Sequence, residues 1–140
     1  MEIKLPIINS LNETRKLAFI RPLSGKIISS FGIKSNGLKN EGINIESPLG
    51  TSIQAIENGL VSYVGNGIKG LGNVIILRHT KDYMTVYAHV QKIFVSHGDV
   101  VKQTDIIATV GKTGKVKSPQ LHLEIRKNMK AINPTKIIKF

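Results

Sequence analysis

The chain has 140 residues, 41% apolar and 21% charged, enough for one folded domain with a real core, and no apolar run approaches the ~18 residues that would cross a bilayer. It has no cysteine, which excludes disulfides, thiolate metal sites and a cysteine nucleophile. Twenty Lys and Arg against nine Asp and Glu give a formal charge of +11, which favours anionic partners; yet aromatics are only 5%, tryptophan is absent and no nucleic-acid motif appears, so nucleic acid is not expected.

Residues 1–22 read as an N-terminal arm. Ser10 and Glu13 have capping-box spacing, which predicts a short helical turn near Leu11–Lys16, and Pro6 and Pro22 bracket the region. No basic stretch followed by an apolar run and a small-residue cleavage site occurs here, so an export signal is expected to lie outside this chain. From Leu23 the pattern becomes that of short strands. Gly25–Gly32 is a β-branched run between glycines, and Ile33–Lys39 is a polar loop. Ile43 and Ile45 alternate with Asn44, which gives a strand with one polar face. Further strands are predicted at 52–55, 60–64, 74–79, 84–89, 106–110 and 121–126, separated by turns such as Glu57-Asn58-Gly59, Gly70-Leu71-Gly72-Asn73 and Gly111-Lys112-Thr113-Gly114. Many short strands without a long amphipathic helix predict an all-β sandwich or open barrel of antiparallel strands over residues 23–140.

Several segments, taken in order, carry a family likeness. They are Ser30-Phe31-Gly32, Ser47-Pro48-Leu49-Gly50-Thr51, the glycine hairpin running into Val74–His79, Tyr87-Ala88-His89, Gly98-Asp99-Val100-Val101, Leu121-His122-Leu123-Glu124 and Asn133-Pro134. Together they resemble the lysostaphin/LytM-type zinc peptidases, which cut peptide bridges in bacterial cell walls. The resemblance implies a groove over a metal centre. In active members a His and an Asp four residues apart, with the second His of a His-x-His strand, hold zinc; the first His of that pair and the His of Tyr-Ala-His assist the attacking water. Carried onto this chain, those positions are Asn40, Asn44, His122, Gln120 and His89. Two of three ligands and one of two catalytic histidines are therefore replaced.

Catalytic zinc takes about three imidazole, thiolate or carboxylate donors and an open site for water. The amides of Asn40 and Asn44 bring no charge to offset the ion. A lone imidazole at His122 is too little, and Gln120 cannot act as a base. The resemblance thus implies no cofactor, no zinc and no catalysis. What remains is a polar groove walled by Asn40, Asn44, His89, Gln120 and His122, similar to that of the EnvC/NlpD-type activators. The implied partner is a peptidoglycan amidase or another envelope protein, with peptidoglycan itself as a further ligand, and the implied location is the periplasm or cell envelope.

Other readings stand beside this one. The chain could be an active endopeptidase with an unusual site, a wall-binding module, or a lipoyl-like carrier displaying Lys69 or Lys112. His89 and His122 also suit ordinary strand histidines. His79 and His97 match no ligand position and are expected at the surface. Glu46 is offset by two residues from Asn44 and Glu41 is expected to point away, so neither replaces the missing carboxylate.

Overall fold

The computed structural model describes residues 16–140. The capping pair Ser10 and Glu13, and nearly all of the helical turn expected there, lie outside that range. Twelve short strands follow. They are β1 (Lys26–Ser29), β2 (Gly32–Ile33), β3 (Lys39–Asn40), β4 (Ile43–Glu46), β5 (Ser52–Gln54), β6 (Gly59–Gly65), β7 (Asn73–Arg78), β8 (Tyr83–Ile93), β9 (Val100–Val101), β10 (Ile106–Val110), β11 (Gln120–Lys127) and β12 (Lys130–Ile132). One 3-10 turn, Pro134–Lys136, is the only helical element among the described residues, capped by the Asn133 side chain. The expected all-β class holds. None of the helical structure described is long and apolar enough to cross a membrane.

The main sheet runs β1-β4-β11-β8-β7-β6-β9, with β12 beside β11 and the β5–β10 pair joined through β8. All pairings are antiparallel, and β2 and β3 form a separate small hairpin that bounds the predicted 33–39 loop. Strand alternation divides the sheet into two faces. Leu121, Leu123 and Ile125 of β11 face the core with Ile43, Ile45, Ile75, Leu77 and Tyr87, all fully buried. Each such aliphatic side chain contributes roughly 2 kcal/mol by leaving water. The opposite face carries the even-numbered residues of β11, from Gln120 to Arg126.

Residues 18–23 are tied to this body. Ala18 N–H donates to Glu57 Oε2 (2.9 Å), Ile20 N–H to the Ile56 carbonyl (3.1 Å) and Gln54 N–H to the Pro22 carbonyl (3.0 Å). Leu23 is buried in the core.

His79 corrects the expectation of a surface residue: it is only 2% exposed. Its Nδ1 lies 2.6 Å from the Asn58 carbonyl and its Nε2 lies 2.8 Å from the Thr85 hydroxyl, which also bonds the Tyr87 hydroxyl at 2.9 Å. The Phe19 ring packs edge-on above it at 5.7 Å. A strand end looks exposed only until the arm and the Asn58 turn are brought over it. Burial pushes His79 down to about 4, opposed by its Asn58 bond and the charge of Glu57. The unfolded chain takes up this proton near the ordinary 6.5, whereas the folded protein resists until about 4. The unfolded state therefore binds more protons in that window, and stability falls as the pH is lowered through it. The expected loss is on the order of 3 kcal/mol by pH 4. Urea midpoints between pH 7 and 4 should fall steeply for the native chain and more shallowly for His79→Gln; equal slopes would count against this account.

Candidate functional site

The polar face is built by register. β4 and β11 pair so that Asn44 sits opposite His122, and β8 places Ala88 on the other flank of His122. Period-two alternation lines up Gln120, His122, Glu124 and Arg126 on the same side of β11. Gln120, His122 and Glu124 are buried.

These side chains form one hydrogen-bonded chain. Gln120 Nε2 donates to the Ser118 carbonyl (3.1 Å), and Asn44 Nδ2 donates to Gln120 Oε1 (2.8 Å). Asn44 Oδ1 then accepts from Asn40 Nδ2 (3.1 Å) and lies 3.0 Å from His122 Nδ1. Asn40 Nδ2 also reaches Ser29 Oγ (2.8 Å), and Asn40 Oδ1 accepts the Gly42 N–H (3.0 Å). A backbone carbonyl fixes one end and a backbone N–H the other, so every amide has one orientation.

On its other side, His122 Nε2 lies 2.8 Å from Glu124 Oε2. Arg126 Nε donates to Glu124 Oε1 (2.8 Å), and its terminal nitrogen donates to Glu41 Oε2 (2.7 Å). Glu41 is thus bound to Arg126 rather than to the amide centre. Burial alone would raise the Glu124 carboxyl, but hydrogen bonding and charge from His122, and then from Arg126, outweigh it and hold Glu124 below its ordinary value. Sequence reasoning assigned Glu124 and Arg126 no role, although the polar residue at every second position of β11 was the available signal.

His89 lies nearby but outside the chain. Its ring centroid is 6.2 Å from that of His122, and its Nδ1 lies 2.8 Å from the Thr113 carbonyl. Its backbone is left-handed, at φ 66°, where β8 passes from pairing with β11 to pairing with β10 and the β7 register shifts. A non-glycine residue held there stores about 1 kcal/mol or more. Two loops secure it: His89 N–H donates to the Leu71 carbonyl (2.9 Å), Lys115 N–H to the Gly70 carbonyl (3.0 Å) and Asn73 N–H to Thr113 Oγ1 (3.1 Å). Burial lowers the His89 pKa and the charge of His122 lowers it further, against the Thr113 bond.

The donor set does not fit catalytic zinc. Asn44 already engages His122 Nδ1, the groups beside it are neutral amides, and Thr113 engages His89 Nδ1. Among the described residues no three His, Asp or Glu side chains are grouped to hold a metal. His97, expected at the surface, is exposed, and so is Glu46.

Beyond Glu124 the face becomes apolar. Ile68, Leu71, Ile76, Met84, Val86 and Met129 line a cavity of about 360 Å³, together with Glu41, Lys69, Glu124 and Arg126. A larger cleft of about 520 Å³ between Arg78, Tyr83 and Met129 touches none of the five expected site residues.

Glu124→Ala leaves His122 and Arg126 without their shared carboxylate. We expect a loss of roughly 3 kcal/mol in denaturant unfolding, and a smaller one for Glu124→Gln, which keeps an acceptor. Because the folded carboxyl is held low, its contribution is present above the unfolded value of 4.5 and fades as the pH falls through the folded one. A native-like midpoint for the alanine variant at pH 7 would contradict the geometry.

Residues 38–134 match the protein-family model described as Peptidase family M23. The chain belongs to this family. It is 43% identical over 108 residues to the cell division protein DipM of Caulobacter vibrioides, an alignment covering 77% of this chain and 18% of that protein. It is 41% identical over 117 residues to the murein hydrolase activator NlpD of Escherichia coli, covering 84% of this chain and 30% of that one. Among solved structures, the catalytic domain of the prophage-encoded M23 protein EnpA from Enterococcus faecalis superposes with a TM-score of 0.73 at 31% identity, over 82% of this chain and 95% of that one. The chain spans less than half the length of these curated relatives.

Proposed function

We propose that this chain is a catalytically inactive LytM-type domain of the bacterial cell envelope that activates a peptidoglycan amidase by binding it. The carrying observation is the partly buried amide chain from Ser118 to Gly42, which occupies the positions where the family's resemblance puts two zinc ligands and a catalytic histidine. The relationship to a murein hydrolase activator and to a cell division protein supports the same reading. Asn40, Asn44, His89, Gln120 and His122 are proposed as the groove end nearest the partner, on a β domain beginning near Leu23. The three amides and His122 hold one another in place, and Gln120 cannot take a proton where the family has a histidine. Binding energy in the groove offsets the cost of drawing an inhibitory segment out of the amidase.

Dye release from labelled peptidoglycan tests this. The chain alone should release nothing, with or without added zinc, and should raise release by the amidase of its own organism. Cleavage by the chain alone, abolished by a chelator, would replace this reading with that of an endopeptidase.

A further inference from the structure

We propose that the two interlocked loops beside His89 form a basic rim that docks an acidic polypeptide segment with apolar anchors. The inference rests on the activator reading for the existence of a protein partner, and deepens it by naming the chemistry of the docked segment.

Lys69 stands on the 66–72 loop, and Lys112, Lys115 and Lys117 stand on the 111–118 loop; all four are exposed. The loops are locked together: a Cβ on Gly72 would lie 2.4 Å from the Thr113 carbonyl carbon. No Asp or Glu occurs between Glu57 and Asp82, or between Asp105 and Glu124, so neither loop carries its own counter-charge. None of the four lysines makes an ion pair among the described residues, whereas Glu41 and Glu124 on the same face are taken by Arg126 and His122. Four like charges on one rigid element repel one another, and carboxylates from a partner relieve that repulsion.

The occupant's second property comes from the floor. Lys69 borders the cavity of about 360 Å³ whose lining includes Ile68, Leu71, Ile76 and Val86. A phosphate-bearing polymer would satisfy the lysines and leave this apolar surface wet. A polypeptide can answer both, with apolar side chains in the cavity and carboxylates along the rim.

The test uses fluorescence anisotropy with a labelled synthetic peptide of Leu and Glu, its Leu and Gln counterpart, and inorganic polyphosphate as competitor. The acidic peptide should bind and should weaken about tenfold between low and moderately high salt. Reversal of Lys69, Lys112, Lys115 and Lys117 to Glu should cost at least about tenfold, and Leu71→Ser should also weaken binding. A control reversal of Lys81, Lys102, Lys130 and Lys136, all exposed elsewhere, should leave binding unchanged. Equal binding of the Gln peptide, equal loss in the control, or polyphosphate displacement with Leu71→Ser indifferent would overturn the proposal. The dye-release assay separates the two readings. Amidase stimulation by the native chain and the rim-reversed chain alike sinks the rim and leaves the activator. Acidic-peptide binding that follows the lysines, without amidase stimulation, supports the rim and sinks the activator.

Discussion

A chain carrying Asn40→His together with Asn44→Asp is expected to bind one zinc ion about a thousandfold more tightly than the native chain, a gain of about 4 kcal/mol. The geometry makes the effect large. Asn44 Oδ1 already lies 3.0 Å from His122 Nδ1 and 3.1 Å from Asn40 Nδ2, so the replaced side chains start out converged. An imidazole at 40 and a carboxylate at 44 complete a three-donor set with His122. Glu124, 2.8 Å from His122 Nε2, orients that ring from behind, as carboxylates commonly do for metal-bound histidines. Titration calorimetry and metal analysis would read the change, and zinc should raise the melting temperature of the double variant alone. A folded double variant with no better zinc affinity than the native chain would mean that the converged positions do not enclose a metal-sized site.

Gly72→Ala should be among the most damaging single changes in the molecule, at about 3 kcal/mol or more. Gly72 adopts φ +65°, which a β-carbon opposes, and the added carbon would meet Thr113 backbone at 2.4 Å and Gly114 N at 2.5 Å. No flexible side chain can give way there; the two loops must part. Parting them withdraws the Thr113 carbonyl from the His89 ring and the Leu71 carbonyl from its N–H, at a left-handed residue. Urea unfolding measures the cost, and the His89 ring resonances should shift with it. A loss below about 1 kcal/mol would show that the loops are not locked as described.

The strands were legible because β-branched runs and glycine turns alternate at short intervals, and because Ile43 and Ile45 flank a polar Asn44. The convergence of Asn40, Asn44, Gln120 and His122 was readable only through the family likeness; residues 76 and 78 positions apart meet solely through β4–β11 register. Burial of His79 was not readable, since it depends on Phe19, Asn58 and Thr85 arriving from three separate segments. The small β2–β3 hairpin in the polar 33–39 region was missed for a related reason: two-residue strands carry too few residues for a period to show. The left-handed turn at His89 was missed as well, because Tyr-Ala-His reads as plain strand and the turn falls at a shift of the β7–β8 register.

The amide chain, oriented by Ser118 at one end and Gly42 at the other, resists single substitutions. A lone acid at position 44 would set oxygen against the Gln120 oxygen, and a lone imidazole at 40 would abandon the Gly42 N–H. Each first step toward an ion-holding centre costs stability before the ion can repay it. A zinc-holding double variant is therefore reached only through a less stable single one, even though two substitutions suffice for the donor set.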